Sequence, residues 1–78
     1  MTAPAIKKDA RATKVWFEKD LLALELADGR VLSAPLEWFP RLLTATKAQR
    51  SHYRLIAGGV GVHWSDLDED ISLSVLLE

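Results

Sequence analysis

The run His63-Trp64-Ser65-Asp66-Leu67-Asp68-Glu69-Asp70-Ile71-Ser72 is the densest set of ionisable side chains in the sequence, with four carboxylates within five residues behind a histidine. Imidazole and carboxylate groups ligate cations and move protons, so the run raises metal binding and acid-base chemistry at once. Asp66, Asp68 and Asp70 have the alternate spacing of the first ligands of a calcium-binding loop. Such a loop also needs glycine at its sixth position and a bidentate glutamate at its twelfth, where this chain has Ile71 and Leu77. For a transition metal, His63 offers nitrogen beside the oxygens of Asp66 or Asp68, but His52 is the one other imidazole and there is no cysteine. If His63 and Trp64 lie on a strand they face opposite ways, so at most one of them joins the carboxylates. A structural role for the acids, at a turn or a helix N-terminus, fits better than partner binding. Both fit better than metal or catalysis, and no cofactor or metal ion is expected.

Other reaction templates fare no better. The five serines lack a G-x-S-x-G elbow, and Gly58-Gly59-Val60-Gly61 lacks the Lys-Ser/Thr ending of a phosphate loop. The expectation is a protein that is not an enzyme. Arg41, Lys47, Arg50 and Arg54 fall in a stretch without acids from Trp38 to Ser65. They read as a phosphate-facing strip, a solvated helix face, or the complement of the acidic run. Trp38, Phe39, Tyr53 and Trp64 read first as core residues, since a small domain needs large side chains to bury area. The functional alternative makes Trp38, Pro40, Arg41, Arg50, His63, Trp64, Asp68, Glu69 and Asp70 a candidate interaction surface, because tryptophan and arginine anchor binding interfaces.

These residues must be positioned by a small set of elements. Val15 and Phe17 share one face, Leu22, Leu24 and Leu26 alternate, and Val31 and Ser33 oppose Leu32 and Ala34, which predicts three strands. Lys19-Asp20 and Asp28-Gly29 divide them as turns, the second a strong hairpin signal because both residues tolerate positive φ. After Pro35, Leu36, Phe39, Leu42 and Leu43 recur at helical spacing, with Pro40 starting a helical turn rather than sitting inside one. Thr46 and Gln49 have the form of a capping box, predicting a second helix from Lys47 to about Tyr53. The helices are expected to cover the open face of the meander. Strand composition returns on both sides of Gly58-Gly59 as a second hairpin. The end is read as a strand through Ile71 and Leu73, or a helix capped by Ser72 that buries Val75 and Leu76. The fold class is therefore α+β, in the order β-β-β-α-β-β-α, with residues 1–13 as a mobile arm and 14–78 as one domain.

Seventy-eight residues hold one core, and with 49% hydrophobic residues the chain is not of disordered composition. Without cysteine, packing or self-association must stabilise it, and a homodimer stays open. No segment is apolar for long enough to span a bilayer, and the start MTAPAIKKDARAT lacks the apolar stretch of a secretory signal, so a cytoplasmic protein without a membrane partner is expected. Lys7, Lys8, Arg11 and Lys14 stand against Asp9 at one end, whereas residues 65–78 carry five acids and no base. This polarity suits a charged partner, but a formal net charge of −1 does not favour nucleic acid.

Taken together, Asp28-Gly29, Pro35-Leu36, Trp38 to Leu42, Ala45-Thr46, Gln49-Arg50, Gly61 to Trp64 and Leu67 to Ser72 resemble the bacterial family known as domain of unknown function 2442, over about residues 14–77. Ser65 departs from the proline of the family pattern, and Ser74-Val75 from a more polar pair. The resemblance implies a small α+β domain, here in its stand-alone form without the helix-turn-helix DNA-binding domain that some members carry. It also implies one half of a two-gene toxin-antitoxin-type pair, and so an antitoxin-like or regulatory protein that binds the product of an adjacent gene. The alternatives are an autonomous DNA-binding regulator and, behind it, a metal-dependent enzyme.

Overall fold

The computed structural model describes residues 8–77. Strands β1 (Ala12–Glu18), β2 (Leu21–Leu26) and β3 (Val31–Pro35) form an antiparallel meander in that order. Its inner face is built from the rows Val15, Leu24, Leu32 and Phe17, Leu22, Ala34, as the alternation of the sequence requires. A register shift between Ala12 and Lys14 inserts one extra residue into β1. That bulge lets Ala12 and Val15, an odd number of residues apart, both reach the core.

The Asp28-Gly29 turn differs from the expected pair of positive-φ residues. The Gly29 N–H donates to Leu26 O (2.9 Å) and the Leu26 N–H to Arg30 O (2.8 Å), and of the two only Gly29 takes a positive φ, +92°. This is the longer hairpin loop that ends in a left-handed glycine. Asp28 keeps ordinary backbone geometry because its carboxylate does the local work, accepting from the Arg30 N–H (3.1 Å) and guanidinium, and from the Asp9 N–H (2.8 Å). Of the arm expected over 1–13, residues 1–7 lie outside the described residues. Asp9 and Arg11, by contrast, are tied to this turn, since the Ala27 N–H also donates to Arg11 O (2.8 Å), and β1 begins at Ala12.

After β3, a 3₁₀ turn (Leu36–Trp38) is broken at Phe39, and α1 (Pro40–Leu43) starts with proline at its first position. Helix α2 (Lys47–Ser51) carries both hydrogen bonds of the capping box, Gln49 N–H to Thr46 Oγ1 (3.1 Å) and Thr46 N–H to Gln49 Oε1 (3.0 Å). It ends earlier than predicted, because Tyr53 opens a strand. Strands β4 (Tyr53–Ile56), β5 (Gly61–Trp64) and β6 (Glu69–Ser72) form a second antiparallel sheet in the order β4-β5-β6. The expected hairpin is thus a three-stranded sheet. The chain then ends its described course in α3 (Leu73–Leu76), where the Ser74 N–H donates to Ser72 Oγ (3.4 Å). Strand and helix both form. The helix buries Leu73, however, while Val75 is 54% exposed, because Leu73 at the first helical position is the residue aimed at the core.

The meander is covered mainly by the second sheet rather than by the two helices. Val62 and Trp64 from β5, with Ile71 opposite Val62, share one core with Leu22, Leu24 and Leu26 of β2, which Leu36, Leu42 and Leu73 complete, while α2 buries no residue. Trp64 is fully buried, with Phe17 edge-on at 6.3 Å and Tyr53 tilted at 6.3 Å, and its indole N–H donates to Arg50 O (3.0 Å). Replacing it with phenylalanine keeps much of the apolar area but leaves that carbonyl without its donor and a void beside it. Trp64→Phe is expected to lose about 2 kcal/mol of stability, read as a lower urea midpoint at unchanged slope.

The loop between β4 and β5 meets β1 at Gly59. A Cβ there, on a backbone with φ +99°, would lie 2.6 Å from Ala12 O, and that oxygen belongs to main chain that cannot swing aside. Gly59→Ala combines left-handed strain with a backbone clash, so a loss of about 2 kcal/mol or more is expected in the same measurement, whereas Gly58→Ala, in open space, pays only the strain. The Arg30 guanidinium holds the Asp28 carboxyl at about 2, below its ordinary 3.8. A depressed carboxylate contributes stability that is full above the ordinary value and is lost as pH falls through the folded one. The stability gap between the parent and Asp28→Asn should therefore be constant from neutral pH to about 5, shrink below that, and level off only once pH has fallen past about 2, as followed by denaturation across an acid series.

Candidate functional site

Strand pairing decides which of the candidate residues meet. Across the outer face of the second sheet, Arg54 of β4, His63 of β5 and Asp70 of β6 stand side by side. His63 Nδ1 bonds Asp70 Oδ1, and because a carboxylate accepts, Nδ1 carries the proton and Nε2 remains for other partners. Trp64, its neighbour in the chain, points to the opposite face and is buried, as alternation requires, so it is a core residue with no surface for a partner. Glu69 and Asp70 belong to strand β6 rather than to a turn, because Glu69 pairs with Trp64 and Asp70 with His63. The 3₁₀ turn (Ser65–Leu67) before them ends at Asp68, which adopts φ +50°, a left-handed geometry that short polar residues tolerate. Asp66 takes up the second histidine, with His52 Nδ1 at 3.0 Å.

The acids are thus distributed among separate tasks. Among the described residues no three His, Asp or Glu side chains converge as a metal-binding group. Ser72, two residues beyond Asp70, has its Oγ engaged with Ser74 at the start of α3.

The arginines explain how the two candidate segments come together. Arg41 Nη1 donates to Asp68 O (2.7 Å) and Leu67 O (3.3 Å), pinning the Trp38 to Arg41 turn against the acidic turn. Arg50 Nε donates to Leu42 O (2.9 Å) and Nη2 to Leu43 O (3.0 Å), and its guanidinium lies 5.3 Å over the Phe17 ring. Leu42 O also accepts from the Ala45 N–H (3.2 Å), and the planar guanidinium fork adds a second donor there while reaching Leu43 O at the same time. The expected basic strip is therefore not one helix face. Arg41 and Arg50 are engaged with main chain, Lys47 opens α2, and Arg54 lies on β4 beside His63. Arg41 does meet the acidic segment, but through its carbonyls and not its carboxylates.

Trp38 and Pro40 are exposed, Trp38 at 61%, which corrects the reading of Trp38 as core. The backbone turns at Phe39 (φ −130°, ψ 80°) before Pro40, and Leu36 and Leu42 on either side are the residues that go inward. Leu21 and Leu43, both more than one-third exposed, line a shallow hollow with Pro35, Asp20 and Glu37 next to this turn. Sequence reasoning did not single out Leu21, whose exposed place follows from its pairing with Pro35 at the end of the sheet. It also passed over Phe17 and Tyr53 as a pair, since only packing on Trp64 brings them together.

Two three-stranded antiparallel sheets with short helices, sharing one core, define a small α+β domain. A family model described as a protein of unknown function (DUF2442) matches residues 12–78, and the chain belongs to that family. No curated protein and no solved structure matches it. No helix among the described residues is long and apolar enough to cross a membrane.

The Arg50 fork is open to a direct test. Arg50→Lys keeps the charge but cannot serve both α1 carbonyls with a planar fork, so a loss of about 1–2 kcal/mol is expected in chemical denaturation. Lys47→Ala, which breaks no such contact, should stay within about 0.5 kcal/mol of the parent.

Proposed function

We propose that this domain is a non-enzymatic protein-interaction module of the bacterial cytoplasm, the antitoxin-like or regulatory member of a two-gene pair, and that it docks through the turn around Trp38. The observation that carries this reading is the 61% exposure of a tryptophan in a domain whose other large aromatic side chains are mostly drawn toward the core. An exposed indole next in the chain to Glu37, which lines the hollow with Leu21, Leu43 and Pro35, supplies the aromatic anchor typical of binding hot spots. Asp20 and Glu37 at the hollow favour a partner whose apolar socket is flanked by basic side chains. Arg41 holds the turn through main-chain carbonyls, which gives the anchor a fixed base.

Co-expression with the product of the adjacent gene tests the reading. The tagged parent should retain that product through purification, and Trp38→Ala should weaken the complex by about 2 kcal/mol, roughly thirtyfold, while its own melting point is unchanged. A parent protein that emerges alone and leaves the neighbour's toxicity untouched would sink the pairing.

A further inference from the structure

A second concave surface lies between β1, with Lys19 of the β1-β2 turn, and residues of α2 and β4. This cleft has a volume of ≈ 530 Å³ and is lined by Phe17, Lys19, Lys47, Arg50, Ser51 and Tyr53, with the β1 strand at Val15 and Trp16. Its size falls in the range of small-ligand sites. The composition of the lining is one-sided. Three cationic side chains and no carboxylate line it, in a chain with 11 acidic and 10 basic residues. Among the described residues, neither Lys19 nor Lys47 forms a salt bridge.

Each wall has a distinct chemistry. Phe17 and Tyr53 both pack on Trp64, so their rings are held from behind by a buried side chain. The Arg50 guanidinium is held over Phe17 by its two carbonyl bonds, which keeps a planar cation at the lining without a mobile side chain. Ser51 Oγ already donates to Ala48 O (2.7 Å), and Arg50 spends two of its five N–H donors on carbonyls, so the two ammonium groups, the rest of the guanidinium and the Tyr53 hydroxyl are able to receive a ligand. An apolar ring matches the aromatic floor, and an anionic group between the lysines matches the two unpaired charges.

We propose that the cleft between β1 and the α2-β4 wall binds a small molecule that joins an aromatic or heteroaromatic ring to a phosphate or carboxylate. The site is independent of the Trp38 turn. An extended nucleic acid is disfavoured, since a polymer needs cations continuing beyond the cleft, and Arg41 and Arg50 are already engaged with main chain.

The test is calorimetric titration of the full chain, at low salt, with phenyl phosphate, benzoate and adenosine monophosphate, beside phenol, adenosine and inorganic phosphate. At least one ring-bearing anion should bind saturably. Which of the three is preferred tells phosphate from carboxylate and a simple ring from a nucleobase. Lys19→Gln and Lys47→Glu should each weaken that binding about tenfold or more, with folding unchanged, since hydrogen bonds to charged groups are worth about 1.5–3 kcal/mol. Amide shifts in a proton-nitrogen spectrum should centre on Phe17, Lys47 and Tyr53. Absence of heat with all three ring-bearing anions, equal binding of phenol or adenosine, equal binding of inorganic phosphate, or lysine variants that bind like the parent would each overturn the proposal. Co-purification of an adjacent-gene product with Lys47→Glu, unchanged from the parent, would show that a failure here leaves the Trp38 reading standing.

Discussion

The structure depends on one buried side chain, Trp64, placed where two sheets and a helical connection meet. Its ring fills the space between Phe17 of the meander and Tyr53 of the second sheet, and its single polar atom donates to the Arg50 carbonyl. A domain of this size has little apolar area to bury, so a large aromatic group at the centre does what several aliphatic residues do in a larger core. The indole N–H then fixes orientation as well as position, because a buried donor left unpaired costs more than the bond itself contributes. Arg50, bound to Trp64 through its main chain, uses its side chain to close α1. Core, helix end and cleft are coupled through adjacent atoms of one residue.

Around that centre the charged residues serve mainly to complete backbone hydrogen bonding. Asp28 organises the meander hairpin and holds the segment before β1, Arg41 joins the Trp38 turn to the acidic turn, and Arg50 serves α1. Short elements leave a large share of their N–H and C=O groups without regular partners, and long side chains with forked or paired polar ends satisfy them. The acidic run divides in the same way. Asp66 meets His52, Asp68 supplies a left-handed turn, Glu69 sits opposite Trp64, and Asp70 pairs with His63. What remains uncommitted is an exposed tryptophan next in the chain to Glu37 of the Leu21 hollow, and two lysines beside an aromatic floor in the cleft at β1.

Much of the architecture was legible in the linear chain. The alternation of Leu22, Leu24 and Leu26, the proline that opens α1, the Thr46-Gln49 capping box and the Ser72 cap are local signals, each set by backbone chemistry within a few residues. The opposite facing of His63 and Trp64 followed from strand geometry alone. The pairing of His63 with Asp70 did not, since it needs the register of β5 against β6. Nor did the exposure of Trp38, because a tryptophan flanked by Leu36 and Phe39 has the same pattern whether it turns inward or out.

By itself, then, the sequence determined the α+β class, the positions of the turns and caps, and membership of a family, because these rest on residue type and short spacing. Only the tertiary structure decided that the second hairpin becomes a sheet through β6. It also decided that Trp64 and not Trp38 forms the core, and that Arg41 and Arg50 reach main-chain carbonyls. Those outcomes depend on contacts between segments far apart in the chain. A side chain's partner across such a distance is selected by packing and by the unmet hydrogen bonds of the surrounding backbone, neither of which is written in its neighbours.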